Sequence, residues 1–157
     1  MERGPNRRFF ISYSHGAEED ERLCARFAEA LTAAGHEVFF DKKIQFGSEW
    51  ADEIQRQLNR CDSFLLLLSE TALASEMVQQ EVERARNRRK AEGTPRIFTV
   101  RVKLEGDLPY RWAAYLDAYQ WRTWRGEADF VPILQAIQEV GGEIPRSPEA
   151  SGPAQEE

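Results

Sequence analysis

The chain has 157 residues, 41% hydrophobic and 31% charged, which suits one domain with an ordinary core. Its net charge of −6 argues against broad electrostatic attraction to nucleic acid or to an acidic membrane surface. Cys24 and Cys61 are the only cysteines and His15 and His36 the only histidines, so neither a disulfide framework nor a zinc site is expected.

Along the chain, "RRFFISYS" (7–14) is a β-rich apolar run that stops at Ser-His-Gly. "EEDERLCARFAEALTAAG" (18–35) has helical spacing, with Leu23, Phe27, Leu31 and Ala34 on one face and Gly35 as its stop. "HEVFF" (36–40) is a short strand, and "DKKIQFG" (41–47) a polar loop interrupted by Ile44 and Phe46. Ser48 can N-cap the next helix, "EWADEIQRQLNRC", which stacks Trp50, Ile54 and Leu58 at successive turns. "SFLLLLS" (63–69) is apolar without alternation, as in a central parallel strand covered on both faces. A helix follows over 75–89, and "RIFTVRV" (96–102) is the fourth strand. The segment 106–121 is ambiguous, with a short last strand expected at 116–121. "DFVPILQAIQEVGG" (129–142) is a terminal helix carrying Phe130, Ile133, Leu134, Ile137 and Val140. One domain is expected over 7–141, after a flexible start at 1–6. The remainder, 142–157, is rich in Pro, Ser and Glu and reads as a disordered tail or a linker to a further domain.

Strands alternate with helices, so the class is α/β with a mainly parallel sheet. Five strands suit a doubly wound sheet of order 2-1-3-4-5. Such sheets bind ligands at the carboxyl ends of their strands where the order switches, here between strands one and three.

The helix at 75–89, "SEMVQQEVERARNRR", contains a fault. Wound at about 100° per residue, Glu81 falls on the apolar side between Met77 and Ala85, with Val78 and Val82 beyond. Burying an ionised carboxylate without a partner is costly. One explanation is an ordinary ion pair, because Arg84 and Arg88 lie on the same edge at i+3 and i+7. The other is a functional acid, since this helix begins just beyond strand three and borders the expected crevice. The basic run "RARNRRK" (84–90) reads as a solvated helix C-terminus favoured by the macrodipole, or as an anion-binding patch.

Several chemistries are absent. There are no paired acids after strand one, as a phosphoacceptor receiver needs, and no phosphate loop of the Ser/Thr/Gly-rich type. Neither G-x-G-x-x-G, a Walker lysine loop nor a G-x-S-x-G elbow occurs. No apolar leader and no apolar run of about 18 residues are present, so neither signal peptide nor membrane span is expected, and a reducing, cytoplasmic location is.

Four stretches resemble successive boxes of a bacterial-type Toll/interleukin-1 receptor (TIR) domain: "FFISYSH" (9–15), "FFDKKIQFGSEWADEIQRQL" (39–58), "SFLLLLSE" (63–70) and "SEMVQQEVERA" (75–85). The resemblance spans about residues 7–140 and implies a flavodoxin-like, doubly wound five-stranded parallel sheet. Many TIR domains cleave NAD⁺ at the nicotinamide–ribose bond, using a Glu on the helix after strand three within a W-x-x-x-E pattern. Glu81 matches that Glu, whereas Met77 stands where the Trp would be. The resemblance places Ser12, Tyr13 and His15 in the first pocket-lining loop. Asp41, Gly47 and Trp50 fit the BB loop and its exit, a segment that borders the site and mediates self-assembly. Ser69, at the end of strand three, is a further candidate for the pocket or a local cap. Trp50 is either an aromatic surface for a base or a core residue stacked on Ile54. Tyr13 and His15 equally suit local hydrogen bonds.

The implied activity is NAD⁺ hydrolysis, with NAD⁺ as substrate and no other cofactor, and the product is either ADP-ribose or a cyclised ADP-ribose. The implied setting is the effector domain of a bacterial defence or signalling protein, activated by oligomerisation through TIR–TIR contacts. Two other readings stand beside it: a non-catalytic TIR–TIR signalling module, and a nucleoside 2-deoxyribosyltransferase-like enzyme, against which "DKKIQFGSEW" argues. A single acid suits the first reading. Glycosidases need a second carboxyl group to protonate the leaving oxygen. Nicotinamide in NAD⁺ is already cationic and leaves as a neutral molecule.

Overall fold

The computed structural model describes residues 7–40 and 48–139. Its strands are β1 (Arg8–Ser12), β2 (Glu37–Phe40), β3 (Ser63–Leu68), β4 (Arg96–Val102) and β5 (Gln120–Trp124). They form one sheet in the order β2-β1-β3-β4-β5, with each neighbouring pair parallel. The helices are α1 (Glu18–Ala33), α2 (Ser48–Arg60), α3 (Glu70–Leu73), α4 (Glu76–Glu92), α5 (Tyr110–Leu116) and α6 (Phe130–Gln138). Parallel neighbours require long crossovers, and helices supply them. The doubly wound sheet expected from the sequence is observed, strand order included.

Side-chain alternation along the strands divides the core into two layers. Phe9, Ile11, Leu65, Leu67, Phe98 and Val100 meet α1 and α6 through Leu23, Phe27, Leu31, Ile133 and Ile137. On the other face, Phe10, Phe64, Leu66, Leu68 and Ile97 meet Leu58 of α2, Val78, Val82 and Ala85 of α4, and Trp112 and Leu116 of α5. Strand β3 is buried along its whole length, which explains its unbroken apolar sequence. Each such fully buried Leu or Phe stabilises by about 1.5–3 kcal/mol, so this central strand anchors both layers.

Two boundaries differ from the sequence reading. The expected last strand at 116–121 is displaced: residue 116 closes α5, and β5 begins at Gln120. Trp112 and Leu116, one turn apart, both bury against the α4 layer, and that helical pairing prevails over an extended one. The terminal helix is also shorter, since Glu139 already has φ −57° and ψ 135°. Arg7 donates to the carbonyls of Gln138 and Glu139, and Arg96 donates to that of Glu139. These guanidiniums satisfy carbonyls that a longer helix would have used. The short helix α3 had no counterpart in the sequence reading. The segments expected to be a flexible start, a polar loop at 41–47 and a tail at 142–157 lie outside the described residues, as does Val140.

Candidate functional site

Helix α4 starts where Ser75, in extended conformation, accepts the Val78 N–H at 3.2 Å, and it ends at Gly93 with φ 82°. Serine before the first turn and left-handed glycine after the last are favoured stops. Arg89 reaches the Gly93 carbonyl, so part of the basic run serves the helix C-terminus. The helix packs on β1 and β4, burying Val78, Glu81, Val82 and Ala85. Glu81 therefore sits on the buried face, 5% exposed, as its position on the helical wheel required.

Ser12 is a partner: its Oγ donates to Glu81 Oε1 at 2.6 Å. Alternation explains the meeting: Ser12 shares a sheet face with Phe10, and that face lies under α4. Ser12 is the last residue of β1 and pairs in register with Leu66 of β3. The carboxylate thus stands at the carboxyl end of β1, next to β3, where the strand order switches. Arg88 is engaged elsewhere. Its guanidinium takes Glu92 at 3.1 Å and the carbonyls of Leu58 and Cys61 at 3.0 and 2.8 Å, tying α4 to the end of α2. Arg84 is exposed. The outer flank of α4 is tied to α5, where the Tyr115 hydroxyl donates to the Glu83 carboxylate and Arg111 to Gln79.

Tyr13 is one residue from Ser12 and so turns to the opposite face. It is 4% exposed in the α1 layer, its ring 4.8 Å from that of His15 and 6.3 Å from Phe40. Half-buried His15 lies against it. Met77, one turn before Glu81 on α4, is half-buried. Trp50 falls in the first turn of α2. Asp41 and Gly47 lie outside the described residues.

Ser69 caps α3, accepting the Ala72 N–H at 3.1 Å, and its hydroxyl donates to Asp20 Oδ2 at 2.5 Å. Asp20, in the first turn of α1, is 2% exposed. Burial pushes its carboxyl up from the ordinary range, Glu19 and Glu21 add to the rise, and the Ser69 hydroxyl opposes it. Asp20 had no role in the sequence reading, where it was hidden in the acidic run "EEDE". The signal was available, since Asp20 lies three and four residues before Leu23 and Cys24, on the apolar face of α1. It is the same fault that marks Glu81.

Neither cysteine offers a nucleophile. Both are free and buried, and burial raises both thiols, that of Cys61 to about 11. Among the described residues, no group of three or more His, Cys, Asp or Glu side chains could hold a metal ion, and no helix is long and apolar enough to cross a membrane. At the binding edge of the doubly wound sheet a buried carboxylate, Glu81, is thus aimed by a serine.

A family model described as the TIR domain matches residues 9–135, most of the chain. Comparison with curated proteins finds no match.

Proposed function

The chain belongs to the TIR domain family, and on that premise we propose that it cleaves NAD⁺ at the nicotinamide–ribose bond, with Glu81 as the catalytic carboxylate. The observation that carries the reading is the buried Glu81 held by Ser12 at the switch point of the sheet. A carboxylate has about four acceptor positions, and ribose hydroxyls are donors of the kind it takes. As neutral nicotinamide departs with the electrons of the C–N bond, positive charge develops on the ribose. A negative charge in a water-poor site stabilises that charge more than it could in water. Water then adds to the anomeric carbon and releases a proton, giving ADP-ribose. No group needs to protonate the leaving nicotinamide, so one acid suffices. Met77 supplies an apolar wall beside Glu81, and the family resemblance adds Asp41, Gly47 and Trp50 as candidates for contact with the substrate. In this reading Ser69 belongs to the frame of the crevice, and Tyr13 and His15 shape it from the α1 side.

The setting that suits such an activity is a defence or signalling protein in which copies of the domain self-associate. Unrestrained NAD⁺ loss would harm its own cell, and clustering raises effective concentration to the order of millimolar. The test incubates purified protein with NAD⁺, free and on beads, and identifies products by mass. Glu81→Gln keeps an acceptor for Ser12 and removes the charge. It should lower turnover by about 10²–10³ or more with an unchanged melting temperature. NAD⁺ left intact by concentrated, self-associated wild type would instead establish an interaction module.

A further inference from the structure

The two buried acids of the crevice are laced in opposite directions. Glu81, on a helix that follows β3, takes its hydroxyl from Ser12 at the end of β1. Asp20, on the helix that follows β1, takes its hydroxyl from Ser69 at the end of β3. Each bond crosses the switch point, and together they tie both sides of the crevice at the strand ends.

We propose that Asp20 and Ser69 are positioning residues for Glu81, their hydrogen bond setting where the α3–α4 segment begins and hence where the Glu81 carboxylate points. The inference rests on the NAD⁺-cleaving role of Glu81. The connection is short and well tied. Ser69 caps α3; the Leu73 carbonyl at the end of α3 accepts Trp112 Nε1 at 3.2 Å; Ser75 caps α4; and Glu81 follows in its second turn. A shift of Ser69 therefore passes along few freely rotating bonds before it reaches Glu81.

Capping α3 by itself requires only the Ser69 oxygen, which accepts Ala72 N–H. The additional bond to Asp20 anchors that cap to α1, in the opposite layer of the core. Asp20 is a costly residue to bury beside Glu19 and Glu21, and an apolar residue would pack more readily with Leu23 and Cys24. The bond needs an acceptor oxygen and not a charge, because the hydroxyl is the donor. A side-chain amide can replace the carboxylate in it.

The experiment uses the full chain, with Ser69→Ala, Asp20→Ala, the double variant and Asp20→Asn. Turnover is measured well below each melting temperature, and amide hydrogen exchange is followed in α3 and the first turns of α4. Ser69→Ala and Asp20→Ala should each lower kcat about tenfold or more, with KM within about twofold, as misplacement of a catalytic group does. The double variant should be no worse than the more impaired single one, because the two act as one unit. Asp20→Asn should keep near wild-type kcat. Exchange should rise in every variant except Asp20→Asn. Folded Ser69→Ala with wild-type kcat and wild-type exchange would overturn the inference, as would Asp20→Asn as impaired as Asp20→Ala. Wild type and Glu81→Gln equally inactive would refute the NAD⁺ reading instead. The exchange data would then decide by themselves whether the pair holds α4.

Discussion

Ser12→Ala isolates the contact that aims the acid. Ser12 is 1% exposed and Glu81 5%, and the bond between them is 2.6 Å long. A short hydrogen bond to a charged group contributes about 1.5–3 kcal/mol, and a buried carboxylate that loses it gains no water in exchange. The expected loss is about 2 kcal/mol, read in urea at neutral pH by circular dichroism. For a domain of this size it corresponds to a melting temperature lower by roughly 5–8 °C. The background decides the cause. With Glu81→Met, the charge is gone and the Ser12 hydroxyl loses its acceptor. Ser12→Ala should then be neutral or stabilising, because it removes a buried donor that has lost its partner. An equal cost of Ser12→Ala in both backgrounds, or a cost below about 0.5 kcal/mol beside an intact Glu81, would mean that the hydrogen bond to Glu81 does not stabilise the fold.

Thr99 lies in the same register row as Ser12, with Leu66 between them, and is 2% exposed. Its hydroxyl has no hydrogen-bond partner among the described residues. Thr99→Val should stabilise by about 1 kcal/mol in the same urea assay, and a loss of stability would show that the hydroxyl is satisfied. Asp20→Asn should gain on wild type as pH rises. A carboxyl held above its unfolded value keeps its proton in the folded state after the unfolded chain has lost its own, so stability falls with rising pH until the folded group ionises. The advantage of the Asn variant should be smallest near pH 4 and grow toward neutrality, and thermal melts across that range would expose an opposite trend.

The amino-acid sequence by itself determined what depends on local periodicity. "SFLLLL" suits a strand hidden on both faces, and the spacing of Met77, Glu81 and Ala85 put a carboxylate on a buried helical side without reference to anything distant. The alternation of strands with helices pointed to a doubly wound sheet, and five strands suit the order that is observed. Segment 106–121 resisted the same treatment because its aromatic residues satisfy a helical or an extended spacing equally well. Only the layer formed by α4 chose the helix for Trp112 and Leu116.

The tertiary structure alone decided which groups meet. Ser12 and Glu81 are 69 residues apart, and Asp20 and Ser69 are 49 apart, so no local pattern relates them. Alternation assigns Ser12 and Tyr13 to opposite faces but does not say which face α4 will cover. That choice rests on how both layers pack at once, and it sends Ser12 to the acid and Tyr13 into the α1 core. A buried acid can be read from a helical wheel; the hydroxyl that holds it comes from another strand end, brought there by the packing of the whole sheet.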